Sequence, residues 1–140
     1  MRVLMYNNKR IAIAKILVEN ITQIFEILPN NVQILNVKCW EQVIFATVLA
    51  LKSFERGTNK AKTIRGEILL RVSGILQIKD AINLVGAKRG ENFIVAFGEN
   101  AERDLAEVLL KIGAKELQLT NCEKEKVKES FEQVALVDVL

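Results

Sequence analysis

The chain has 140 residues, half of them apolar, with a net charge of +3, two cysteines and no histidine. That length suits one domain with a real core, and the composition excludes a disordered chain. The missing histidine excludes Ser-His and Cys-His nucleophile pairs and histidine metal faces, and two cysteines are too few for a zinc site made of cysteine alone.

The N-terminus reads as a hairpin, "RVLMY" and Arg10–Val18, turning at "NNK". In "NITQIFEIL", Ile21, Ile24, Phe25 and Leu28 fall on one helical face, with Asn20 as N-cap, Gln23 three residues on, and Pro29 as the stop. "NVQILNV" is a short strand. Cys39 to Glu55 is apolar almost all round, as a helix central to a core or a dimer would be, and Gly57 closes it. A homodimer in isolation is therefore an open expectation.

"TNKAKT" is a polar, basic loop. "IRGEILLRV" is a helix capped by Thr63, and Gly66 in its first turn implies something approaching its backbone closely, for which a tight helix crossing would serve equally well. "QIKDAINLVG" puts Ile78, Ala81, Ile82 and Val85 on one face. "NFIVAFG" is a buried strand. "AERDLAEVLLKIG" turns Ala101, Leu105, Val108, Leu109 and Ile112 inward. "ELQLT" is a short strand, and Thr120 with Glu123 suits a capping box for a last helix from Cys122 to about Gln133, before the apolar "VALVDVL". Three consecutive helices inserted between strands favour an α+β fold over a doubly wound sheet. A single domain over 1–140 is expected.

No apolar run is long enough to span a bilayer, and the start lacks a signal-peptide core, so a soluble cytoplasmic protein with no membrane partner is expected. Cys39 and Cys122 lack a CxxC partner and are expected to be structural and reduced. Catalysis by lysine, tyrosine or carboxylates remains chemically open, yet nothing pairs such groups at a convincing spacing. No phosphate-binding glycine motif occurs. No catalytic residue, metal ligand or cofactor is assigned.

Charge is unevenly spread. Lys52, Arg56, Lys60, Lys62, Arg65, Arg71, Lys79, Lys88 and Arg89 stand against Glu55, Glu67 and Asp80, so this segment is +6 and the remainder −3. A charge run alone usually means a solvated face. The corner at Ser73–Gly74 is more specific. The helix after it starts near Gln77 without a good cap, and free backbone N–H groups there suit an anion. Arg71 precedes the corner and Lys79 follows it. Arg71 capping its own helix, Lys79 paired with a carboxylate, and water on the free N–H groups would explain the same pattern. The basic third holds one aromatic, Phe54, so no base-stacking platform is visible and contacts would be to phosphates and sugars.

"GEILLRVSGILQIKDAINLVGAKRG" resembles the central signature of the smallest KEOPS subunits, the kinase-binding proteins, in their archaeal form. It is carried by Glu67, Ile68, Leu69, Leu70, Ser73, Gly74, Gln77, Ile78, Ala81, Ile82 and Gly86. "ATVLALKSFERGTNKAKT" fits upstream, "FIVAF" fits downstream, and the "DVL" tail also looks familial. The resemblance runs over about residues 32–98.

The resemblance implies an α+β fold with a small antiparallel sheet packed with helices. It implies a non-catalytic accessory subunit of the complex that makes threonylcarbamoyladenosine in tRNA, the chemistry belonging to another subunit. Such proteins bind the small lobe of the complex's atypical kinase/ATPase and grip the 3′ CCA end of tRNA. It leaves the kinase contact unassigned. On charge and helix-terminus grounds the expected tRNA-binding residues are Lys60, Lys62, Arg65, Arg71, Ser73, Gly74, Gln77 and Lys79, flanked by Lys88 and Arg89. The alternative is an interaction module that activates the kinase without touching RNA.

Overall fold

A computed structural model of the chain describes residues 1–22 and 24–140, leaving aside the side chains of Phe25 and Glu26. The described residues sort into two compact units, one of residues 1–37 and 87–120 and one of residues 38–86 and 121–140. The fold class is α+β, with an antiparallel sheet, as expected from the order of elements.

The first unit is built on the sheet. β1 (Arg2–Tyr6) and β2 (Lys9–Val18) form the expected hairpin, in which Tyr6 pairs with Lys9. Asn7 makes the turn with a left-handed φ of 54°, a conformation asparagine tolerates better than most residues. β3 (Val32–Leu35) and β4 (Gly90–Gly98) complete the order β1-β2-β4-β3, all antiparallel. β5 (Lys115–Leu117) pairs with β2 beyond the end of β1.

Alternate residues Ala12, Ala14, Ile16 and Val18 of β2, Ile94 and Ala96 of β4, and Val32 and Ile34 of β3 share one core. It is completed by Ala101, Leu105 and Val108 of α5 (Ala101–Ile112) and by Ile24 of α1 (Ile24–Ile27). The intervening Ile11, Ile13 and Val95 are buried too. A strand buried on both faces reads as a continuous apolar run, which is why β2 shows no alternation in sequence. The Asn20 side chain accepts the Thr22 backbone N–H at 3.2 Å in a local turn, but α1 begins only at Ile24, four residues on, so Asn20 is not the N-cap expected of it. Gln23, expected to join that cap, lies outside the described residues.

The second unit is helical. α2 (Trp40–Arg56) packs against α3 (Ile64–Ser73) and α6 (Lys124–Leu136), and α3 also packs against α4 (Ile78–Val85). Val43, Ala46, Ala50 and Leu51 of α2 are buried, whereas Ile44, Phe45, Val48 and Leu49 are half-buried. Phe45 meets the ring of Phe131 on α6 at a centroid distance of 4.5 Å.

Two expectations are corrected in this unit. α6 starts at Lys124 with no side-chain cap and runs on to Leu136, followed by a 3-10 turn at Val137–Val139. Burial of Val134 and Val137 extends the helix past the expected end, and the Thr120 capping box does not form.

The second correction concerns the cysteines, which are joined rather than reduced. Cys39 and Cys122 form a disulfide with their Cα atoms 5.7 Å apart across 83 residues of sequence. Their sequence spacing carries no trace of this, because it depends on the start of α2 meeting the lead-in to α6. Closing so long a loop restricts the unfolded chain and is worth about 2–4 kcal/mol. Reduction without unfolding should therefore lower the melting temperature by several degrees, measured by circular dichroism with and without a dithiol.

Candidate nucleic-acid interface

The basic loop between α2 and α3 is organised by one carboxylate. Glu67, in the first turn of α3, is fully buried. Its Oε1 accepts the backbone N–H groups of Lys60 and Ala61, both at 2.8 Å. Its Oε2 accepts Arg71 Nε at 3.1 Å and Ser53 Oγ at 3.2 Å. A buried carboxylate is tolerable only when so fully partnered. The consequence is a fixed loop: Ala61 is drawn inward while Lys60 and Lys62 on either side of it are exposed. Asn59 Nδ2 donates to the Ala61 carbonyl at 2.8 Å, and Thr63 caps α3 by accepting the Gly66 N–H at 3.0 Å.

Gly66 explains how this loop meets α4. A Cβ at this position would stand 3.1 Å from Thr63 Oγ1, 3.3 Å from Ala61 Cβ and 3.3 Å from Ile78 Cδ1. The close approach inferred from the sequence is thus real, and it is made by the basic loop and by the first residue of α4. It places the loop carrying Lys60 and Lys62 beside the N-terminus of α4. That N-terminus has Gln77 at its cap position and no side-chain cap, with Gln77 and Lys79 exposed. Among the described residues no carboxylate forms an ion pair with Lys60, Lys62 or Lys79. Gly66→Val should cost about 1–3 kcal/mol by overpacking this seam, visible as a lowered melting temperature.

Arg71 and Ser73 depart from expectation. Arg71 is 1 % exposed, with its guanidinium held by Glu67 and by Asp138 at 2.9 Å. Glu67 and Arg71 are four residues apart on one helix, so burying the first turns the second inward as its counter-charge. Ser73 is buried as well. Its Oγ donates to the Leu70 carbonyl and accepts the Ile75 N–H, both at 3.1 Å. Gly74 takes a left-handed φ of 73° to end α3.

Over this corner lies Gln133 of α6, whose Nε2 donates to the Ser73 carbonyl at 2.9 Å. The Ser73–Gly74 corner is therefore clasped by protein, and the open cationic surface lies one step away, at the loop and the start of α4. Arg65 is half-buried. Lys88 and Arg89 are exposed and belong to the sheet unit.

The apolar face of α4 is only half covered. Ala81 and Val85 are buried, but Ile78 and Ile82 remain about 40 % exposed, contrary to the inward face read from helical spacing. At the C-terminus Val137 is buried and Asp138 is tied to Arg71, while Leu136, Val139 and Leu140 point outward. Among the described residues no helix is long and apolar enough to cross a membrane.

Sequence reasoning assigned no site role to Glu67, Gln133 or Asp138. Glu67 carried a signal, as an acid within a cationic segment four residues before an arginine. Asp138 carried none, being 67 residues from Arg71 in the chain.

The family model for the kinase-binding protein CGI-121 matches residues 16–137. The chain belongs to this family. It is 44 % identical over 131 residues to the KEOPS complex subunit Cgi121 of Pyrococcus abyssi, covering 93 % of this chain and 77 % of that protein. Family membership agrees with the resemblance read from the α3–α4 signature. Within that signature Glu67 holds the loop, and Ile78 seals it against Gly66.

Proposed function

We propose that this chain is a non-catalytic accessory subunit of a KEOPS complex. It binds the small lobe of the kinase/ATPase subunit and recruits tRNA through its 3′ CCA end. The observation that carries the RNA reading is the seam at Gly66. The seam brings two outward lysines on an anchored loop beside a helix N-terminus that no side chain caps. Backbone N–H groups and lysine ammonium groups there suit the phosphates of a single-stranded end. In this reading Lys60, Lys62, Gln77 and Lys79 make the contact and Arg65 flanks it. Arg71, Ser73 and Gly74 shape the corner from within.

The kinase contact is assigned to the tail. Leu136, Val139 and Leu140 are exposed apolar groups on a segment fixed by Val137 and by the Asp138–Arg71 ion pair. Three exposed apolar groups within five residues of chain support a partner surface there. Val139→Asp should weaken retention of the cognate kinase in a pull-down by at least about tenfold, since a charge would be buried at the contact. tRNA binding by the same variant should be unchanged. Tight kinase retention by the native chain with no tRNA retained would favour an interaction module that does not touch RNA.

A further inference from the structure

Cys39, Glu41 and Cys122 converge where α2 begins, with one donor atom from each lying within 4.8 Å of the others. Cys39 occupies the N-cap position of α2 and Glu41 lies in its first turn. Glu41 Oε2 accepts the Cys122 backbone N–H at 3.1 Å. Glu41 Oε1 is shut away from solvent and, among the described residues, receives no hydrogen bond. A buried carboxylate oxygen without a donor is uncommon and costly. The sulfur atoms beside it carry no proton while they form a disulfide. The Lys38 carbonyl oxygen lies 3.6 Å from Cys122 Sγ and adds one more electron-pair donor. The cluster is rich in groups that donate electron pairs and lacks a group to receive them.

We propose that reduction of the disulfide turns this cluster into a site for a thiophilic divalent cation of the zinc type. Cys39 and Cys122 would bind as thiolates and Glu41 through Oε1. A dithiol supplies the reduction: it gives two electrons and two protons to the disulfide and is left oxidised, while Cys39 and Cys122 become thiols. The cation then displaces both thiol protons to solvent, and two thiolates and one carboxylate surround the dication. Zinc–sulfur bonds of about 2.3 Å in a tetrahedral site need sulfur atoms about 3.7 Å apart. Cα atoms 5.7 Å apart allow that spacing by side-chain rotation. The N-terminus of α2 favours the thiolate of Cys39. The fourth position falls to the Lys38 carbonyl or to water. Disulfide and metal exclude one another, so the same two segments are tied by a covalent bond when oxidised and by a metal when reduced.

The test uses the full chain, reduced with dithiothreitol, desalted without oxygen and titrated with cobalt(II). The expected result is one cobalt per chain with sulfur-to-cobalt charge-transfer absorption and the visible bands of a four-coordinate site, all lost on adding zinc. The oxidised chain should take up none. Glu41→Gln keeps the shape but loses the anionic ligand, and should bind about tenfold more weakly or worse. Circular dichroism should show the reduced chain folded before metal is added. A folded reduced chain without the sulfur-to-cobalt band, a reduced chain that unfolds, or unchanged affinity in Glu41→Gln would each overturn the site.

Discussion

Glu67→Ala should be the most destabilising single change in the helical unit, costing about 3–5 kcal/mol and lowering the melting temperature by at least about 10 °C. The substitution removes a fully buried carboxylate that accepts two backbone N–H groups, a serine hydroxyl and a guanidinium. Arg71 would be left almost fully buried, with only the half-exposed carboxylate of Asp138 for a partner. The N–H groups of Lys60 and Ala61 would be left without their acceptor, so the loop should loosen as well as the core. Asp138→Asn provides the contrast. Asp138 is 54 % exposed, and an exposed partner of an ion pair is worth about 1 kcal/mol or less. Thermal melts of the two variants, together with hydrogen exchange at Lys60 and Ala61, check both claims. Equal melting temperatures would show that Glu67 does not anchor the loop.

The double variant Lys60→Glu, Lys62→Glu should bind tRNA roughly a hundredfold more weakly while melting like the native chain. Both side chains are exposed, so little folding energy rests on them. Reversing two charges facing phosphate replaces attraction by repulsion, which costs several kcal/mol in binding. The logarithm of affinity should also fall less steeply with salt, by about one unit of slope for each phosphate that is no longer neutralised. Filter binding over a range of salt concentrations reads both effects. Arg71→Glu offers a sharp comparison: because Arg71 is buried, the variant should fail by unfolding rather than by weaker affinity in a folded state.

The elements of the fold were legible in the sequence wherever one local pattern decided them. Helical spacing and Thr63 placed α3, the apolar run of β4 placed a buried strand, and Gly57 ended α2. What the sequence hid depended on residues far apart in the chain. The disulfide joins residues 83 apart, and Asp138 reaches back to Arg71.

The candidate site was half legible for the same reason. Its location in the cationic middle third was visible as charge, and the uncapped start of α4 was visible as missing cap chemistry. The directions of Arg71 and Ser73 were not. Both depend on burial of Glu67 and on Gln133 of α6 closing over the corner. Gly66 was the most informative single residue. Its helix cost implied a close neighbour, and the neighbours proved to be the basic loop and the head of α4.

The most direct measurement compares the affinity of this chain for an intact tRNA and for the same tRNA lacking its 3′ CCA, at one fixed salt concentration. The intact tRNA should bind at least about tenfold more tightly, a difference of about 1.4 kcal/mol, and the Lys60→Glu, Lys62→Glu variant should erase that preference. Equal affinity of the native chain for the two RNAs would contradict recognition of the 3′ end at this surface.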